Sequence, residues 1–210
     1  MSIMFIVFES IDGGGKGKQR EEMVKFLDEK GIKVESKEFP DHNTTIWRDY
    51  LHPALHDEKK LTSGAWFSAF ALEKFLWEEK LKKFKGDKNN LFIADGYYTT
   101  TLVYQCILQK NPDLRFGVEF AEKLGIVKPD LTIYLDVHPK TALIRKSKEE
   151  GKEKTDIFES NLGKQKEIQT AFLKLAKEKV WCNWEVLDGN GTIQEVRDLV
   201  YEKIRQLMEW

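Results

Sequence analysis

Phe5-Ile6-Val7-Phe8-Glu9-Ser10-Ile11-Asp12-Gly13-Gly14-Gly15-Lys16-Gly17-Lys18-Gln19 joins an apolar run, a triple glycine and a lysine-rich helical stretch in that order. The apolar run from Ile3 to Phe8 is continuous rather than alternating, which predicts a strand buried on both faces. A strand that empties into glycines and then into a lysine at a helix start is the arrangement of a phosphate-binding loop. Glycines let backbone N–H groups converge on an anion, the helix N-terminus adds partial positive charge, and Lys16 adds a full one.

The usual spacing of such a loop is G-x-x-x-x-G-K-[ST]. Gly15-Lys16 match it, Ser10 stands at the first glycine, and Gly17 replaces the hydroxyl residue. The rival G-x-G-x-x-G fingerprint fits Gly13 and Gly15 but meets Lys18 at its third glycine. A turn that merely needs positive φ would be satisfied by one glycine, and three beside a lysine exceed that need.

A chain of 210 residues can bury one good core and is short for two. Its 34 basic and 35 acidic residues leave a net charge of −1, which gives no bias toward nucleic acid or a membrane surface, so any anion site must be local. Cys106 and Cys182 are too few for a disulfide framework or a zinc cluster, and a reducing, cytoplasmic setting is expected. Met1-Ser2-Ile3-Met4 lacks a basic leader, and the start reads as a first strand rather than a signal peptide. No apolar run approaches the ~20 residues that span a bilayer.

Further strands are expected at Ile32–Phe39, Leu91–Ala94, Leu131–Leu135 and Trp184–Leu187. Helices are expected over Gln19–Lys30, Thr44–Leu51, one long helix from Thr62 past Trp77, Thr99–Gln109, a stretch closed by Gly125, Pro139–Glu150, Asn161–Lys179, and Thr192 to about Leu207. Gly86 to Asn90 reads as a turn and Gly151 to Thr155 as a charged break. Strands alternating with helices predict a single three-layer α/β domain, a five-stranded parallel sheet with helices on both faces. Ser10–Gly15, Phe39–His42, Asp95–Tyr98, Asp136–His138 and Asp188–Asn190 then lie past the strand ends, where ligands gather in such sheets.

Asp95, directly after Leu-Phe-Ile-Ala, can hold Mg²⁺ or its waters beside a phosphate loop, or cap the next helix. Asp12 either faces an acceptor hydroxyl or steadies the turn. The aromatic stripe Trp66, Phe67, Phe70, Phe75 and Trp77 reads first as core; part of it, Phe67 and Phe70, can wall a base pocket, and so broad an apolar surface can also carry a dimer contact. Arg145, Lys146, Lys148, Lys152 and Lys154 form a solvated charged face from which one or two cations, Arg145 first, can close over a polyphosphate as a lid spanning about 145–157. The four histidines share no metal-ligand spacing.

Together these residues resemble the thymidylate kinase family of P-loop kinases. Phe8-Glu9-Ser10-Ile11-Asp12-Gly13-Gly14-Gly15-Lys16 is similar to its F-E-G-x-D-G-x-G-K opening, and Phe39-Pro40 to its proline turn. Phe67-Ser68-Ala69 with Glu73 resembles L-F-x-A-[ND]-R-x-E, and Asp95-Gly96-Tyr97 with Tyr104-Gln105 resembles D-R-Y/W…A-Y-Q. Pro129 to Asp136 is close to P-D-L-T-x-x-L-D, and Asp156-Ile157-Phe158-Glu159 to D-R-F-E. The resemblance implies the P-loop kinase fold, ATP and Mg²⁺ as cofactors, a pyrimidine nucleotide acceptor such as dTMP, and a homodimer. It implies ATP binding by Asp12, Gly13, Gly14, Gly15, Lys16, Gly17, Lys18, Gly189 and Asn190, catalytic roles for Lys16, Asp95 and Arg145, and Mg²⁺ at Asp95. Acceptor contacts would come from Asp12, Phe39, Pro40, His42, Phe67, Phe70, Tyr97, Tyr104 and Gln105.

The chain departs from that pattern where the family carries arginine: Glu38, Ala71, Gly96, Ile157 and Gln169 stand there, and His42 takes the place of an arginine that some members carry in the proline-turn loop. A guanidinium fork is not replaced by glycine or alanine. The sequence therefore leaves three readings: a kinase of a pyrimidine nucleoside monophosphate, the same fold acting on a nucleoside, or a nucleotide-binding protein that transfers nothing.

Overall fold

Side chains alternate across β1 (Phe5–Glu9), and that alternation divides the core. Phe5 and Val7 point into one apolar layer, Ile6 and Phe8 into the other, and all four are fully buried. The computed structural model describes residues 5–56, 58–84, 90–150 and 155–208, without the side chains of 149–150, 155–161 and 207–208.

The described residues form the expected five-stranded, all-parallel sheet. Its strands are β1, β2 (Lys33–Glu38), β3 (Asn90–Asp95), β4 (Leu131–Asp136) and β5 (Trp184–Asp188), in the order β2-β3-β1-β4-β5. Phe8 pairs with Asp95 on one side of β1 and Ile133 on the other, so the carboxyl ends of the three central strands finish level. The order reverses at β1, which places the glycine loop at the switch point of the sheet.

One face is covered by α1 (Lys16–Asp28) and α9 (Ile193–Met208), whose Met23, Leu27, Val196, Val200 and Ile204 meet Ile6, Phe8, Ile93 and Ile133. Thr192 and Glu195 cap α9 reciprocally: the Thr192 N–H donates to Glu195 Oε2 at 2.7 Å and the Glu195 N–H to Thr192 Oγ1 at 3.3 Å. Gln19 Nε2 donates to the Ile193 carbonyl at 3.0 Å, tying the two helices at the cleft end.

The other face carries α3 (Ser63–Phe75), α4 (Glu78–Phe84), α5 (Tyr98–Thr101), α6 (Leu114–Leu124), α7 (Pro139–Glu150) and α8 (Thr155–Lys177), each giving buried side chains to the second layer. α2 (His52–Leu55) follows the second strand's turn.

Several elements differ from the sequence reading. The long helix divides after Phe75, where a three-residue bond from the Trp77 N–H to the Lys74 carbonyl tightens the turn and lets the indole pack edge-on to Phe39 at 5.5 Å. Trp47–Leu51 and Leu102–Leu108 are wide, π-type turns rather than regular helix. α8 begins at Thr155, ahead of Asn161, and α1 begins at Lys16, inside the lysine-rich run. Ile3 and Gly86–Asn89 lie outside the described residues.

Candidate active site

Ser10, which takes the place of a glycine in the usual loop pattern, is buried and donates its Oγ hydrogen to the Leu135 carbonyl at 2.7 Å. The hydroxyl thereby ties the glycine loop to β4. It also imposes a condition on Gly14: a Cβ there would lie 1.9 Å from Ser10 Oγ. Gly15 caps α1 at φ +87° with no side chain bonding the first amides, so those N–H groups remain directed into the cleft.

Lys16 Nζ lies 3.9 Å from Asp95 Oδ1. Asp95 Oδ2 would be 2.9 Å from a Cβ at position 17, so the carboxylate fills room that the missing P-loop side chain leaves open. Burial raises the pKa of Asp95, Lys16 opposes that shift, and the neighbouring Glu38 carboxylate adds to it. Lys18 turns to Glu21 and Glu22 on its own helix, at 3.7 and 3.6 Å.

These groups open onto a cleft of about 630 Å³ lined by residues 12–19, Glu38, Asp95, Arg145, Lys148, Gly189, Gly191 and the start of α9. Arg145 roofs it. Its Nη1 donates to the Gly189 carbonyl at 3.0 Å and its Nη2 to those of Asn190 and Gly191 at 3.3 and 3.2 Å. Nη1 also lies 3.9 Å from where a Cβ on Gly15 would project, so the guanidinium bridges the glycine turn and the loop after β5. Asn190 fixes that loop from within, accepting from the His138 N–H at 2.9 Å and donating to Asp188 at 2.7 Å.

Asp12, at the border of this cleft, pairs its carboxylate with Lys146 on α7. Its carbonyl accepts from Gln165 at 3.2 Å. Burial first, and after it the Asp12 and Glu9 carboxylates, pushes the Tyr104 phenol upward. Phe39 and Tyr97 meet edge to face at 5.5 Å. Gln105 is buried, with Oε1 lacking a hydrogen-bond partner. Phe67 packs inside the core against Tyr98 and Phe120, while Phe70 stacks on Trp66, half-buried. His42 is exposed and stacked on Trp47 at 4.2 Å. Pro40 follows Phe39 through a cis peptide. Gln169 donates to Asp136 at 2.7 Å. Lys152, Lys154 and the side chains of Asp156–Glu159 lie outside the described residues.

A sequence model described as thymidylate kinase matches residues 8–200. The chain belongs to the thymidylate kinase family. It is similar to a thymidylate kinase of Leptospira interrogans, with 32% identity over 92% of this chain and 89% of that one. A thymidylate kinase of Fervidobacterium nodosum shares 29% over 94% and 96% of the two chains. A thymidylate kinase of Danio rerio shares 24% over 97% and 89%. In this member of the thymidylate kinase family the glycine loop, Lys16 and Asp95 line one cleft, with Glu38 ending β2, Gly96 following β3 and Ala71 buried within α3.

Glu9 has a place at the site that the sequence reading did not give it. It is fully buried and accepts hydrogen bonds from Thr99 Oγ1 at 2.5 Å, Thr100 Oγ1 at 2.8 Å and the Tyr97 N–H at 3.2 Å. The available signal was a carboxylate closing an otherwise apolar strand. Burial pushes its pKa from 4.5 to about 7, against the pull of those hydroxyls and of Lys16. A carboxyl raised in the folded state holds its proton where the unfolded chain has released it. Stability should therefore fall as pH rises from about 4.5 to about 7, by about 3 kcal/mol from this group. Glu9→Gln is expected to flatten that part of the profile. Urea midpoints from pH 4 to 8 for both proteins test this; identical slopes would place the pH dependence elsewhere.

Proposed function

We propose that the chain is a phosphotransferase that moves the γ-phosphoryl group of ATP to dTMP or a related pyrimidine nucleoside monophosphate. The observation that carries this reading is the convergence of the open α1 N-terminus, Lys16 and Asp95 on one cleft. In that reading the backbone of Gly13 to Lys16 cradles the donor phosphates and Lys16 neutralises charge on the group in transit. Gly189, Asn190 and Arg145 wall the donor base, with Arg145 as the fixed root of a lid that continues along α7.

Mg²⁺, when bound, would supply charge neutralisation, and the hard-oxygen carboxylate of Asp95, in the room over Gly17, suits it. Asp12 and Tyr104 orient the acceptor sugar, Phe39 and Tyr97 bound its pocket, and little covalent work falls to the protein. Exposed Leu72 and Leu76 at the end of α3 and Phe116 and Leu124 on α6 offer apolar surface for a second copy, in a homodimer working in the cytoplasm.

A second acceptor class has its own support. Glu38 brings a carboxylate into the cleft next to Asp95, and Gly96 and Ala71 bring no cation, so a nucleoside without a 5′-phosphate meets less repulsion than a monophosphate. ATP consumption with Mg²⁺ against dTMP, dUMP, UMP, CMP, AMP and thymidine separates the readings. A rate dependent on dTMP is expected; a rate with thymidine alone would replace the acceptor. Silence across the panel with ATP binding intact would leave a nucleotide-binding protein.

A further inference from the structure

As a set of four the histidines share no spacing, but the fold brings two of them together. His42 stacks on Trp47 at 4.2 Å, and Trp47 meets His52 edge-on at 5.8 Å. The His52 and His56 rings then lie 4.4 Å apart, tilted by 49°. These two residues are four apart in the chain, and the His56 N–H donates to the His52 carbonyl at 3.3 Å, closing one helical turn between them. Residues so spaced project from one face of the turn. Both are exposed, and neither lines the phosphate cleft.

Two imidazoles one turn apart on one face are a ligand pair with which helices hold a transition metal. An ion at ~2.1 Å from one nitrogen of each ring, with the ring centres 4.4 Å apart, would see the two nitrogens at roughly 90°. That angle fits neighbouring positions of a tetragonal or octahedral ion better than two corners of a tetrahedron. Imidazole suits Cu²⁺, Ni²⁺ and Zn²⁺, whereas Mg²⁺ takes oxygen ligands. The Trp47 indole, itself stacked on His42, stands against the His52 ring and restricts its rotamers, so one ligand is held before any ion arrives. Among the described residues no group of three His, Cys, Asp or Glu forms a metal cluster, so water would complete the coordination.

We propose that His52 and His56 form a surface site for one divalent transition-metal ion, taking Cu²⁺ more tightly than Ni²⁺ or Zn²⁺. The site is separate from any Mg²⁺ at Asp95 and does not depend on the phosphotransfer reading.

Calorimetric titration of CuCl₂, NiCl₂ and ZnCl₂ into the full chain, with Mg²⁺ in excess, tests it. One Cu²⁺ per chain should bind despite the Mg²⁺, and its paramagnetic resonance spectrum should show two equatorial nitrogens. His52→Ala and His56→Ala should each weaken Cu²⁺ binding by about tenfold or more, because either change leaves a single ligand where two had acted together. His138→Ala should leave it unchanged. Both ligands are exposed, so the variants are expected to fold as the parent does. Equal Cu²⁺ affinity in the double variant, a spectrum with one nitrogen, or tighter binding of Ni²⁺ or Zn²⁺ than of Cu²⁺ would overturn the proposal.

Discussion

Lys16→Ala should lower ATP-dependent turnover by about 10²- to 10³-fold, the loss that follows removal of one preorganised charge-stabilising donor. Lys16 is the cation nearest Asp95 in the cleft, which Lys148 also lines, and three other basic groups around it are committed: Arg145 to three carbonyls, Lys18 to Glu21 and Glu22, Lys146 to Asp12. None of these is placed to take over without breaking its own contacts. Single-turnover rates at saturating ATP give the effect directly. A variant that retains more than about a tenth of the rate would show that Lys16 is not a principal stabiliser of the transferring group.

Gly14→Ala is expected to remove most ATP affinity, because the new methyl would sit 1.9 Å from Ser10 Oγ, 2.7 Å from Ser10 Cβ and 2.9 Å from the Ile11 carbonyl. Overpacking of this kind costs about 1–3 kcal/mol, or some 5- to 150-fold in affinity if the strain falls on the binding-competent loop. The same substitution in a Ser10→Gly background loses two of those three collisions. It should therefore recover much of the affinity, and calorimetric titration of ATP into the four proteins measures the coupling. Additive losses would mean that Ser10 and Gly14 do not constrain one another.

That pair also shows what a sequence conceals. The glycine loop was readable because strand, glycines, lysine and helix follow each other locally, and each has its own pattern. The serine at its start looked like a flaw in the motif, although the loop is built around it through Leu135, 125 residues away in the chain. Asp95 was readable as the residue ending an apolar run, whereas its approach to the space over Gly17 depends on how β1 and β3 are registered.

The sequence reading gave Lys74 no role and Glu73 only a place in the helix motif of the resemblance. Their burial follows from each having the other, and from Asp41 arriving on a separate turn. Phe67 illustrates the opposite case. Its helical spacing allowed either core or pocket, and the arrival of Phe120 from α6 puts it in the core.

The sheet's borders bear on how this protein can associate. β2, at one edge, reads Lys-Val-Glu-Ser-Lys-Glu, with Lys33, Lys37 and Glu38 among its outward charges, and Lys37 reaching Asp41 at 2.7 Å. β5, at the other edge, is short and carries Glu185, paired with Lys203 at 2.8 Å. Charged, short borders discourage the addition of a foreign strand. Neither rim invites another chain to continue the ladder, which guards the fold against fibril-like growth and leaves its helical flanks as the route by which copies can meet.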